Sequence, residues 1–149
     1  MKRLLYAALL LLMPPLVLAE DAGSPPVSDA AKIQGAWKIE SARYDGAKTS
    51  ELVGVTMTFT DKKVTVKLEG ETANDDYVLD PTQKPKHLDT SGKRGEETVK
   101  IPAVYQFLDN DTLVICNADP GRPRPTELDT KKGDGRSVVV LKRVKPKGK

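Results

Sequence analysis

Cysteine and histidine are almost missing from this chain of 149 residues: each occurs once. A single cysteine excludes an intramolecular disulfide, and a single histidine excludes the multi-histidine cages that hold metals. Aromatic residues are scarce, at 5%, so few bulky side chains are available to fill an interior. Neither charge sign dominates, with 24 Lys and Arg against 21 Asp and Glu. Removing Lys2 and Arg3 with the N-terminal segment discussed below leaves 22 against 21. Such a balance argues against a dedicated nucleic-acid binder, which would carry a strongly basic face. With 38% apolar and 30% charged residues of both signs, one core is affordable and wholesale disorder is not expected. The longest apolar stretch, Leu4 to Leu18, is interrupted by Pro14-Pro15 and falls short of the about 20 residues of a membrane-spanning helix.

That stretch is the core of an export signal. Lys2 and Arg3 form its basic start, and Val17 and Ala19 stand three and one residues before a cut at Ala19-Glu20. Residues 1–19 are therefore expected to be a signal peptide. The mature chain is expected to be exported, to the periplasm, the cell envelope or the medium, with no stable membrane insertion after cleavage. Residues 20–31 are polar and rich in Pro, Gly and Ser, as in a flexible leader. Ser28 or Asp29 can cap a short helical turn at its end. Cys116, inside the apolar run Leu113 to Cys116, is expected to be buried and inert.

From Gly35 the pattern has a period of two, the mark of half-buried strands. Trp37 and Ile39 alternate with Lys38 and Glu40; Val55, Met57 and Phe59 with threonines; Val64, Val66 and Leu68 with Lys63, Thr65 and Lys67. Asp61-Lys62 has hairpin spacing. A fourth strand holds Tyr77 and Leu79, and a short fifth covers Lys86 to Thr90. Ala103, Tyr105 and Phe107 follow, then Leu113 and Ile115 after the Asp109-Asn110-Asp111 turn. Beyond a Pro-rich connection, Ala118 to Pro125, a polar strand is expected over Thr126–Thr130 and a last one over Ser137–Val144. Eight to nine short strands with regular turn signals predict an all-β antiparallel barrel or half-barrel preceded by a short helical turn. The domain spans 32–144, and 145–149 form a basic tail.

Gly35-Ala36-Trp37 at the head of the first strand and Arg143 in the last resemble the lipocalin arrangement, in which a Gly-x-Trp enters the barrel and an arginine of the closing strand packs over the indole. A guanidinium on an indole face gains about 0.5–2 kcal/mol. Across 32–144 the chain is similar to an uncharacterised lipocalin-like domain family abundant in planctomycete bacteria. The matching stretches are Ile33-Gln34-Gly35-Ala36-Trp37-Lys38, Met57-Thr58-Phe59, Tyr77-Val78-Leu79-Asp80-Pro81 with Lys84-Pro85-Lys86, Tyr105, Asp111-Thr112-Leu113, Cys116, Pro120-Gly121, Arg124-Pro125-Thr126-Glu127 and Val140-Leu141-Lys142-Arg143. Leu128 departs from the family's usual phenylalanine, which would trim the core. The resemblance implies a barrel and no known activity.

Catalytic chemistry has little to stand on. His87 with Asp89 shares a strand face, but no nucleophile-elbow sequence accompanies them. Asp75-Asp76 and Glu96-Glu97 read as solvated turn carboxylates. Asp109 to Thr112 lacks the later glycine and glutamate of a calcium loop and is explained as a hairpin turn. No enzyme activity, metal or cofactor is expected. Two features rise above this background. Arg122 and Arg124, held among prolines, have the fork that grips a carboxylate or phosphate. Val114, Cys116, Val138 and Val140 form an apolar stripe on the outside if Leu113, Ile115, Val139 and Leu141 face in. The leader turn is the expected cover for that stripe, a partner protein the other.

The reading is a non-enzymatic binding protein for a small, partly apolar molecule. Its ligand-binding candidates are Met57, Phe59, Tyr77, Tyr105, Phe107, Arg122 and Arg124, with Gly35, Trp37 and Arg143 structural. The alternative is a solid-core interaction or inhibitor module that binds another exported protein through Val114, Val138 and Val140. A monomer is expected in either case.

Overall fold

Alternating apolar and polar residues, separated by tight turns, build nine antiparallel strands. A computed structural model describes residues 25–148; the expected signal peptide and the first part of the leader lie outside the described residues. A four-residue helix, α1 (Asp29–Lys32), is followed by β1 (Gly35–Tyr44), β2 (Ala47–Thr49), β3 (Thr56–Thr60), β4 (Lys63–Leu68), β5 (Glu71–Asp80), β6 (Lys86–Arg94), β7 (Glu97–Phe107), β8 (Thr112–Ala118) and β9 (Arg136–Arg143). Each strand from β3 to β8 pairs with the next, and β1 pairs with both β3 and β9. The sheet thus closes on itself as an eight-stranded barrel, which leaves no continuous free edge. The short β2 is an extra strand on the upper half of β1, where Ala42 faces Thr49. A bulge between Ile39 and Ser41 bends β1 at that point.

The all-β barrel is as the sequence pattern predicts, with three local differences. Thr126–Thr130 is not a strand. It belongs to a strap between β8 and β9 that is fixed by side chains: Thr130 Oγ1 donates to the Arg136 carbonyl (2.9 Å), and Asp129 pairs with Arg43. The strand begun at Lys86 runs on past Thr90 to Arg94. β2 carries too few residues to show a periodicity.

The lower end of the barrel is sealed by aromatics. Phe59 and Tyr77 meet edge to face at 5.1 Å, Tyr105 and Phe107 at 5.8 Å, and Trp37 lies 6.1 Å from Phe107. Trp37 is fully buried, and its indole N–H donates to the Ile33 carbonyl at 2.7 Å. Arg143 stacks 4.2 Å from the centre of the indole. Its guanidinium also donates to the carbonyls of Lys32 (2.6 Å) and Gln34 (2.8 Å), tying the last strand to the chain entering the first. Gly35, at φ 103°, makes this entry in a conformation that side chains disfavour.

Helix α1 closes the same end from below. Ser28 caps it by accepting from the Ala31 N–H, and Ile33 follows it fully buried. Asp29 accepts from Lys86 Nζ and from the Tyr105 hydroxyl, both at 2.7 Å. Burial opposes ionisation of Asp29, but these two donors and the charges of Lys86 and Lys32 outweigh it and hold the carboxyl below its ordinary range. The same burial, with Asp29 as acceptor, pushes the Tyr105 phenol up. The turn at the end of the leader is thus docked under the barrel and lies away from the outer stripe.

Candidate functional site

Above the aromatic seal the inward positions become small or aliphatic, and the barrel is hollow. The cavity is about 230 Å³, larger than the ~150 Å³ apolar cavity that suffices for benzene and smaller than the roughly 300–1,000 Å³ of drug-sized pockets. Its apolar wall includes Ile39, Met57, Val66, Ile101, Ile115 and Val139. Period two explains the hollow, since Ala73 and Ala103 stand at inward positions where the lower layer has Tyr77 and Tyr105.

One side of the cavity is polar. Asp75 on β5 and Arg94 at the end of β6 both line it, with Thr90 below them at the level of Tyr77 and Asn117 on β8. Arg94 grips Asp75 with two parallel bonds, Nη1 to Oδ1 at 2.9 Å and Nη2 to Oδ2 at 2.8 Å. The two ends of this pair differ in exposure: the Asp75 side chain is 7% exposed and that of Arg94 45%. The carboxylate is inside and the guanidinium leans to the mouth. Hydrogen bonding to Asp75 raises the Arg94 pKa, so the cation persists at any working pH.

The pair has its own space because residue 92 is glycine. A Cβ at Gly92 would stand 1.7 Å from Asp75 Oδ1 and 2.8 Å from Arg94 Nη1. Gly92 continues the inward series Leu88, Thr90, Gly92, and the Asp75 carboxylate occupies the volume its side chain would take. Asp75 is therefore no solvated turn residue, as the Asp75-Asp76 pair suggests in the sequence; it is a buried acid of a central strand, and Asp76 beside it faces out to Lys63 (2.5 Å).

Of the seven ligand-binding candidates only Met57 lines the cavity. Phe59, Tyr77, Tyr105 and Phe107 do point inward, but they form the seal beneath it. Arg124 is outside the barrel. It binds both oxygens of Asp89 and the Ala103 carbonyl (2.8 Å), and so fastens the strap to β6 and β7. Arg122 is exposed on the same strap. The site residues that the sequence reading missed are Asp75, Thr90, Arg94 and Asn117. Their signal was parity: Asp75 lies two residues before the inward Tyr77, and Arg94 six after Leu88.

The apolar stripe has a different cover from the one expected. Val104, Val114, Cys116 and Val138 form an outer cluster packed under Leu128, with Val140 at its side. Leu128 lies in the strap, so its size bears on this outer cluster and leaves the barrel interior untouched. Pro125, also in the strap, is fully buried. Cys116 is inaccessible, its thiol 3.6 Å from the Asp129 carbonyl, and burial pushes its pKa up to about 11. His87 and Asp89 make no dyad, because Asp89 is taken by Arg124. Among the described residues no group of His, Cys, Asp and Glu is arranged to hold a metal, and no helix is long and apolar enough to cross a membrane. The chain matches no family model, no curated protein and no solved structure.

Proposed function

We propose that this is an exported, lipocalin-like binding protein that holds a small, partly apolar molecule in its barrel and performs no catalysis. The carrying observation is the hollow upper half of the barrel, about 230 Å³ in volume, with an apolar wall and one polar side made by Asp75 and Arg94. Concave, mainly apolar sites with a few convergent polar groups are the common form of small-molecule sites. Export is supported by the signal pattern of residues 1–19, and kinship with the lipocalin-like family by Gly35, Trp37 and Arg143.

A solid-core interaction module has less in its favour. The interior retains a cavity, and Val114, Val138 and Val140 are occupied by the chain's own strap. Native mass spectrometry of the protein purified from an exported preparation tests the reading. The expected result is a monomer with a reproducible small-molecule mass that is lost on denaturation. A bare monomer that takes up no member of a small-molecule panel would overturn it.

A further inference from the structure

We infer that the ligand carries a single carboxylate, which docks on the free edge of the Arg94 guanidinium while its apolar body enters the cavity below. This rests on the binding reading given above. A guanidinium has five N–H donors arranged on two usable edges. In Arg94 the edge formed by Nη1 and Nη2 is spent on Asp75, and a further Nη1 hydrogen goes to the Lys93 carbonyl at 3.0 Å. The other edge, Nε with the remaining Nη2 hydrogen, has no protein acceptor among the described residues. Arg94 lines the cavity, and its side chain is 45% exposed. Asp75, itself 7% exposed, fixes the plane of the guanidinium, so this second edge is presented in one orientation. A planar two-oxygen acceptor matches it with two parallel bonds.

The surroundings decide the charge of the head group. Both Asp75 oxygens are engaged by Arg94, so the donors of the free edge are what the polar side offers to a head group. A dianion such as phosphate is disfavoured by Glu97, directly opposite Arg94 in the register, and by Glu71, on the inward face of β5. A monoanion meets that repulsion at about half the strength a dianion does, and it still brings two acceptor oxygens to the free edge. The volume, about 230 Å³, suits one ring with a short chain, given that ~150 Å³ admits benzene.

Titration calorimetry of the purified protein with phenylpropanoate, phenylpropanamide and propylbenzene tests the inference. These share a body and differ in the head. The acid is expected to bind about tenfold or more tighter than the amide, as one charge-assisted contact implies. In the Asp75→Asn/Arg94→Gln double variant, which leaves no unpaired buried charge, that preference should vanish while propylbenzene still binds. Equal binding of acid and amide would overturn the carboxylate proposal and leave the cavity reading standing. So would an acid preference that survives in the double variant. Failure of all three compounds to bind the unaltered protein would overturn both.

Discussion

Gly92→Ala tests whether the polar side of the cavity is built as described. Gly92 has no positive φ, so alanine is compatible with the backbone and the effect must come from its methyl group. That group would stand 1.7 Å from Asp75 Oδ1 and 2.4 Å from Cγ, well inside contact distance, and the carboxylate must move. Two charge-assisted bonds to Arg94 are then lost, each worth about 1.5–3 kcal/mol when well sheltered. Arg94 is 45% exposed and water compensates much of its share, whereas Asp75 is left without a partner. The expected net loss is about 2–3 kcal/mol, a fall in the urea midpoint of about 1–2 M. Trp37 is the only tryptophan and is fully buried, so its fluorescence reports the transition. In an Asp75→Ala background the methyl group meets no oxygen. There the same change should be neutral or stabilise by about 0.4–1 kcal/mol through the unfolded chain. A Gly92→Ala protein within about 0.5 kcal/mol of the original, the range of ordinary surface changes, would refute the geometry.

Three further outcomes are expected. Trp37→Ala should lose about 3–5 kcal/mol by circular dichroism melting, because the indole bears on Phe107, Arg143 and the Ile33 carbonyl together. Arg124→Ala should loosen the strap at a cost of about 1–2 kcal/mol and raise the rate at which Cys116 reacts with a disulfide reagent under native conditions; an unchanged rate would mean that the strap is held elsewhere. The Cys116 thiol titrates near 9.0 when unperturbed and is pushed up to about 11 by burial. The unfolded chain therefore binds fewer protons than the folded one between these values, and stability should fall as pH rises through that window. Cys116→Ala should flatten this slope, measured as urea midpoints against pH.

Much of the barrel was legible because its strands obey one rule. Trp37, Met57, Phe59, Val64, Tyr105 and Leu113 fall on alternate positions, and all are on the inner face. The strap was misread because Leu128 and Thr130 alternate with Glu127 and Asp129 and so imitate a strand. What fixes that segment, the Arg124–Asp89 and Arg43–Asp129 pairs, joins residues 35 and 86 positions apart, and no local pattern records them. The site was obscured for a related reason. Asp75-Asp76 reads as a turn and the fifth strand as ending at Thr90, before Gly92, yet that glycine is what makes room for the acid. Alternation told which residues face in. It could not tell which end of the barrel they fill, and so the aromatics were credited to a ligand when they close the floor.

The pairing of β1 with β9 also has a consequence for how the chain reaches this state. Gln34 receives a hydrogen bond from Arg143, 109 positions away, and Trp37 faces Arg143 across the closing seam. The floor is thus made from both ends of the domain, and no N-terminal fragment contains it. The seven strands from β3 through β8 with β1 would form an open sheet with two bare edges and an indole lacking its cation. Contacts of such long sequence separation are reached late, because the loop between them must first be closed. Folding should accordingly wait on the last eight residues of strand, and a chain stopped before Arg136 would present two unpaired edges to its neighbours in place of a barrel.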